Sequence, residues 1–189
     1  MNENTGGTPR GRSAQKTRSL VYTALMAVLI VICTWIQIPA AVPFTMQTFA
    51  IFFSALLLGW KRSLAAVAVY VVLGLVGLPV FTGFRGGAAA LLGPTGGYIL
   101  GFFFIALCSA LSGLKPGSRA VELGSLVLGL LVCYAFGTLW FVLVYTKTKG
   151  AVSFGAALMM CVVPYILPDL AKLALAYVLS LKLRKRISL

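Results

Sequence analysis

Asp169 is the one acidic residue of this chain that lies inside an apolar run, Val162-Val163-Pro164-Tyr165-Ile166-Leu167-Pro168-Asp169-Leu170-Ala171-Lys172-Leu173-Ala174-Leu175. The other acids, Glu3 and Glu122, stand in a polar leader and beside a loop. Lys172 follows three residues later, so on a helix the carboxylate and the ammonium share one face. Charged groups at membrane depth are costly, and they face a cavity or each other. Two readings follow: a site that holds something polar inside the membrane, or a mutual ion pair that fixes helix packing.

Three other stretches carry polar groups in an apolar setting. Gly93-Pro94-Thr95-Gly96-Gly97-Tyr98 opens an apolar segment. Its glycines let backbone approach a ligand, its free amides attract anions or carbonyl oxygens, and Thr95 and Tyr98 add hydroxyls. A closely packed turn into a helix explains the same residues. Arg85 is the only charge in the loop before it and can fork onto a carboxylate or extend to outer headgroups. Val42-Pro43-Phe44-Thr45-Met46-Gln47-Thr48 forms another loop and its exit. There Gln47 offers a donor and an acceptor and Phe44 a ring face, although a plain turn into a helix serves equally.

These residues need elements to position them, and the composition says which kind. The chain of 189 residues is 60% hydrophobic and 10% charged, where soluble domains are nearer half apolar and a quarter charged. Mean hydropathy is +1.01. Six apolar segments can be read: Leu20 to Ile38, Thr48 to Gly59, Leu64 to Val80, Tyr98 to Leu114, Leu123 to Tyr145 and Phe154 to Leu181. The second is short for a span, which takes about 20 residues, and the sixth carries Pro164 and Pro168. The expected fold is all-α, a bundle of six transmembrane helices. Residues 1–19 read as a basic, disordered leader, 20–182 as the membrane domain and 183–189 as a basic tail.

Charge placement gives an orientation. Lys61 and Arg62, then Lys115 and Arg119, lie on the side of the leader and tail, and the positive-inside rule puts that side, with both termini, in the cytoplasm. Lys147 and Lys149 are the exception. The loop from Gly77 to Tyr98 is rich in glycine yet apolar. Such backbone is tolerated at membrane depth only when buried in protein or lining a cavity, so it is expected to fold back into the bundle from outside.

Several classes are disfavoured. The net charge is +13, but the 16 Lys and Arg cluster in the leader, in the tail and between apolar stretches. That pattern suits topology and anionic lipid, not nucleic acid. Cys33, Cys108, Cys133 and Cys161 stand singly and there is no His, so neither a metal set nor a redox pair is expected. A small intramembrane enzyme would need a nucleophile with a base, or paired carboxylates, and none is evident. A pure scaffold leaves Asp169 unexplained. In the first segment Thr23, Ala24 and Ala27 are small residues on successive turns, a face for a partner helix or for internal packing.

Taken together, Val42-Pro43-Phe44-Thr45-Met46-Gln47-Thr48, Gly77-Leu78-Pro79-Val80-Phe81, Leu92-Gly93-Pro94-Thr95-Gly96-Gly97-Tyr98 and Pro168-Asp169-Leu170-Ala171-Lys172, in this order and spacing, resemble the BioY family. These are the biotin-specific substrate-binding (S) components of energy-coupling-factor (ECF) transporters. The resemblance covers about residues 20 to 182. It implies a multi-pass cell-membrane protein that is not an enzyme and needs no cofactor. It implies a biotin site open to the outside, a transmembrane coupling protein (T component) and two cytosolic ATPases as partners. It also implies an Ala-xxx-Ala docking motif in the first helix, from which this chain departs, its nearest matches being Thr23-xxx-Ala27 and Ala24-xxx-Val28. The ureido N–H groups of biotin suit Asp169, its carboxylate suits Lys172 or Arg85, and its thiophane ring suits Phe44, Phe81 or Tyr98. Another small carboxylated vitamin is the alternative ligand.

Overall fold

The computed structural model describes residues 9–40 and 42–186. It is helical almost throughout, in the order α1 (Pro9–Trp35), α2 (Gln47–Leu58), α3 (Trp60–Leu75), α4 (Ala88–Leu92), α5 (Gly96–Cys108), α6 (Arg119–Lys149), α7 (Phe154–Cys161) and α8 (Val163–Arg184). A 3-10 turn, Ser109–Leu114, extends α5. Among the described residues the one sheet is a two-stranded antiparallel ladder of β1 (Gln37–Ile38) and β2 (Phe44–Thr45), which pairs Gln37 with Thr45 and Ile38 with Phe44.

Among the described residues three stretches are long and apolar enough to cross a membrane: Gln15–Trp35 of α1, Gly96–Leu114, and Arg119–Thr148 of α6. The α7–α8 pair, bent by 40°, supplies a fourth if taken as one span. Helices overlap each of the six apolar segments of the sequence, but α2 and α3 are too short to count as spans by length. At 1.5 Å per residue α2 reaches only about 18 Å of a hydrocarbon core of about 30 Å. It stops at Gly59, whose φ of 79° turns the chain straight into α3. Such a helix survives in lipid because it never meets it: Gln47 and every residue from Ala50 to Leu58 are buried. A helix apolar on all sides belongs in the middle of a bundle.

Arg184, at the end of α8, binds the orphan carbonyl of Leu56 at the end of α2 through Nε at 2.8 Å and forms an ion pair with Glu122 at the start of α6. Three elements are thereby tied at one end of the bundle. The opposite end carries the loops. Between α5 and α6 the helices meet through glycines. A Cβ on Gly97 would run into Trp140, one on Gly101 into Cys133, and one on Gly137 into the Tyr98 ring. Small residues at these points let the two backbones approach closely. Outward, Val21, Leu25, Val28, Ile32, Val72, Leu131, Leu139 and Val178 are exposed, the apolar belt that lipid solvates.

The elements differ from the sequence expectation in three places. The leader is helical from Pro9, because Arg, Ala, Gln and Lys favour helix and proline is tolerated in the first turn; residues 1–8 lie outside the described residues. The stretch Thr146 to Gly150, expected as a loop, is helical through Lys149. The sixth segment breaks at Val162 and restarts with Pro164 in its first turn, where the missing proline N–H costs nothing.

Candidate functional site

Asp169 lies in the second turn of α8, 4% exposed, and Lys172 one turn further, 6% exposed. Their side chains meet at 2.7 Å between Nζ and Oδ1. Thr48, in the first turn of α2, donates to the same Oδ1 at 2.8 Å. Tyr134, midway along α6, donates to Oδ2 at 2.5 Å. The ammonium also donates to the Thr45 carbonyl at 2.6 Å and to Thr48 Oγ1 at 3.3 Å. Its three protons thus have three acceptors, and the carboxylate accepts three bonds. A buried ion pair holds only when its remaining donors and acceptors are satisfied in this way. The Phe44 ring lies 3.9 Å below the ammonium, close enough for a cation–π contact.

Around the pair is a cavity of about 70 Å³. Its polar groups come from Thr45, Gln47, Thr48, Thr82, Thr95, Tyr98, Tyr134, Tyr165, Asp169 and Lys172, and its apolar walls include Ile99, Phe102 and Leu130. Of the helices, α2, α5, α6, α7 and α8 contribute directly, and α1, α3 and the short α4 do not.

Helices α1 and α3 hold the lining from behind. Thr45 Oγ1 donates to Gln47 Oε1 at 2.9 Å. Gln47 Nε2 donates to Tyr70 Oη of α3 at 2.6 Å, and Thr34 Oγ1 of α1 donates to the same phenol at 3.4 Å. On the other wall Tyr98 Oη and Thr138 Oγ1 stand 3.0 Å apart. The loop between the ladder strands is fastened over the mouth by Tyr165, which donates to the Val42 carbonyl and stacks on Phe44.

The residues singled out in the sequence divide into two groups. Asp169, Lys172, Gln47, Thr45, Thr95 and Tyr98 converge on the cavity. Phe44 stands behind it, under Lys172. Gly93, Gly96 and Gly97 do not line it. Gly96 is pressed on the Leu91 backbone and Gly97 on Trp140, while the Gly93 carbonyl accepts from Trp140 Nε1 at 3.0 Å. Gly96 thus sets the approach of α4 to α5, and Gly93 and Gly97 meet α6 through Trp140, which is the packing alternative. Arg85 is exposed at the loop tip, its Nε on the Thr82 carbonyl at 3.1 Å, and does not reach the cavity. Near it Val80 and Phe81 are buried, Phe81 edge-on to Tyr70, and Thr82 lines the cavity. Of the three small residues named on α1, only Ala24 faces outward; Thr23 is half-buried and Ala27, 2% exposed, packs inside.

Tyr134 and Tyr165 were not singled out. Tyr165 precedes Asp169 by four residues and so shares its helix face, a readable signal. Tyr134 has no such partner in its own segment; only the pairing of α6 with α8 reveals it. Among the described residues no cluster of His, Cys, Asp and Glu is placed to hold a metal ion.

The BioY family model matches residues 6–189. The chain is 43% identical over 169 residues to the biotin transporter BioY of Thermotoga maritima, covering 89% of this chain and 96% of that protein. It is 32% identical over 176 residues to biotin transporter BioY2 of Lactococcus lactis, covering 92% and 93%. Its fold is similar to the crystal structure of the S-component for biotin from an ECF-type ABC transporter, with a TM-score of 0.78, 29% identity and 95% of both chains covered.

Proposed function

The chain belongs to the BioY family, and on that premise we propose that it is a biotin-binding S component that captures biotin from outside the cell. The observation that carries this reading is the buried Asp169–Lys172 pair set in the lining of an otherwise largely apolar cavity. Biotin matches that chemistry: two ureido N–H donors for a carboxylate, a carboxylate for a cation, and a thiophane ring for Ile99, Phe102 and Leu130. Lys172 is the clamp for the valerate carboxylate because Arg85, the other base considered, is exposed and turned onto its own loop. The loop carrying Phe81 and Thr82 closes the outer mouth. The six apolar segments form the membrane bundle, with both termini in the cytoplasm. The chain is not an enzyme, and pumping energy comes from partners, a T component and two ATPases, docked beside the exposed Ala24 face of α1.

One observation favours a second reading of the pair. All three protons of Lys172 are satisfied within the protein, as a purely structural ion pair would require. Radiolabelled biotin binding to the purified protein, with biotin amide as comparison, separates the two. Lys172→Met is expected to weaken biotin strongly and biotin amide hardly at all. Equal weakening of both ligands assigns the pair to packing, and absence of saturable biotin binding by the unaltered protein sinks the functional reading altogether. A competition series with other carboxylated vitamins tests the choice of ligand.

A further inference from the structure

At the end of the bundle remote from the cavity, Arg119, Lys182, Lys185 and Arg186 surround a recess of about 1300 Å³, counting its open mouth, with Leu181 and Leu183 completing its wall. Four cations converge there, and no carboxylate lines the recess among the described residues. The chain has only three acidic side chains. Asp169 is held by Lys172 and Glu122 by Arg184, so neither is free to neutralise the cluster, and Glu3 lies outside the described residues. Arg119 is worse placed than the others, since a cation in the first turn of a helix opposes the helix dipole. Like charges gathered in this way call for an anion from outside the chain.

The height of the recess says what kind. The apolar run of α6 begins just after Arg119 and that of α8 ends just before Lys182. The Arg184–Glu122 pair holds these two helix ends together. The cations therefore stand at one membrane edge, with the half-buried Leu181 and the exposed Leu183 beside them. We propose that this recess is a site for the phosphodiester headgroup of an anionic phospholipid, its acyl chains lying along Leu181 and Leu183. Each cation near an anionic surface contributes about a fivefold gain in affinity.

Thermal unfolding of the purified full chain in a neutral detergent tests this. The probes are phosphatidylglycerol, phosphatidylcholine of the same acyl length, and inorganic phosphate. Phosphatidylglycerol is expected to raise the unfolding temperature in a saturable way, and the other two are not. Arg119→Gln/Lys182→Gln should weaken that effect by about twentyfold or more, whereas Lys61→Gln/Arg62→Gln, which removes the same charge elsewhere, should leave it in place. Arg119→Gln alone should still weaken it about fivefold, and is the measure to use if the double variant does not fold. Equal loss in both double variants would mean a diffuse charge effect and no site. Equal stabilisation by inorganic phosphate would mean a free-anion site. Unchanged phosphatidylglycerol binding together with loss of a partner protein would assign the patch to an acidic protein surface. Each of these three results overturns the proposal.

Discussion

Tyr134 reaches Asp169 from a different helix, and that bond shows how the site is tuned at the level of single residues. The carboxylate takes three hydrogen bonds, from Thr48, Lys172 and Tyr134, which fix its rotamer before a ligand arrives. Asp169→Asn keeps the shape and removes the charge. If ureido N–H groups bind there, biotin affinity should fall by more than tenfold, about 1.5–3 kcal/mol, as charge-assisted bonds are lost; unchanged affinity in a folded variant would exclude that role. Tyr134→Phe removes only the Oδ2 partner and should cost about 0.5–1.5 kcal/mol in biotin binding, read by calorimetric titration. An effect as large as that of Asp169→Asn would mean that the phenol itself touches the ligand. Asp169 and Lys172 were legible in the sequence because charge in an apolar run is rare and explained by few things. Tyr134 was not, because a tyrosine in an apolar helix is ordinary until the facing helix is known. The glycines of Gly93-to-Gly97 were legible as special, but not as to purpose: a backbone that must approach a ligand and one that must approach Trp140 leave the same residue.

At the scale of elements, the placement of apolar segments followed from hydropathy, and their internal breaks did not. The sixth segment divides at Val162 because Pro164 restarts the helix, yet Pro168, four residues after that proline, lies inside it; composition cannot tell which proline breaks. The α5–α6 contact gives a direct test of how elements hold the cavity. A Cβ on Gly97 would meet Trp140, which also bonds the Gly93 carbonyl, so Gly97→Ala must push the helices apart. It should destabilise the protein by about 1–3 kcal/mol through overpacking. Gly113→Ala meets nothing within 4 Å and should lie within about 0.5 kcal/mol of the unaltered chain. Thermal unfolding in detergent compares the two. Equal stability of both variants would show that α5 and α6 tolerate separation, and that the glycines serve something else.

For the molecule as a whole, the question is which surface faces which side, and where a partner helix sits. Eight cations from Lys61, Arg62, Lys115, Arg119, Lys182, Arg184, Lys185 and Arg186 belong to the end where α6 begins, against Arg85, Lys147 and Lys149 at the other. Despite the exception of the two lysines after Tyr145, this imbalance is the ground for the proposed orientation, with the α6 start inside the cell and the cavity mouth outside. A membrane-impermeant maleimide applied to intact cells should therefore label Ala151→Cys and leave Lys115→Cys unlabelled. Native Cys33, Cys133 and Cys161 are buried and Cys108 is half-buried, so the labelling is done in a Cys108→Ser background. The reverse pattern would turn the cavity towards the cytoplasm and remove capture from outside. The small residues of α1 separate two roles on one helix. Ala27 is inside the bundle, so Ala27→Leu should lower the unfolding temperature and biotin binding together, through overpacking of about 1–3 kcal/mol. Ala24 faces outward, where a leucine disturbs nothing within the chain but adds bulk wherever a helix would cross. Ala24→Leu should keep stability and biotin affinity, yet reduce co-purification with the T component and ATP-driven uptake. If Ala24→Leu assembles and transports as the unaltered chain does, the partner meets the subunit on a face other than this side of α1.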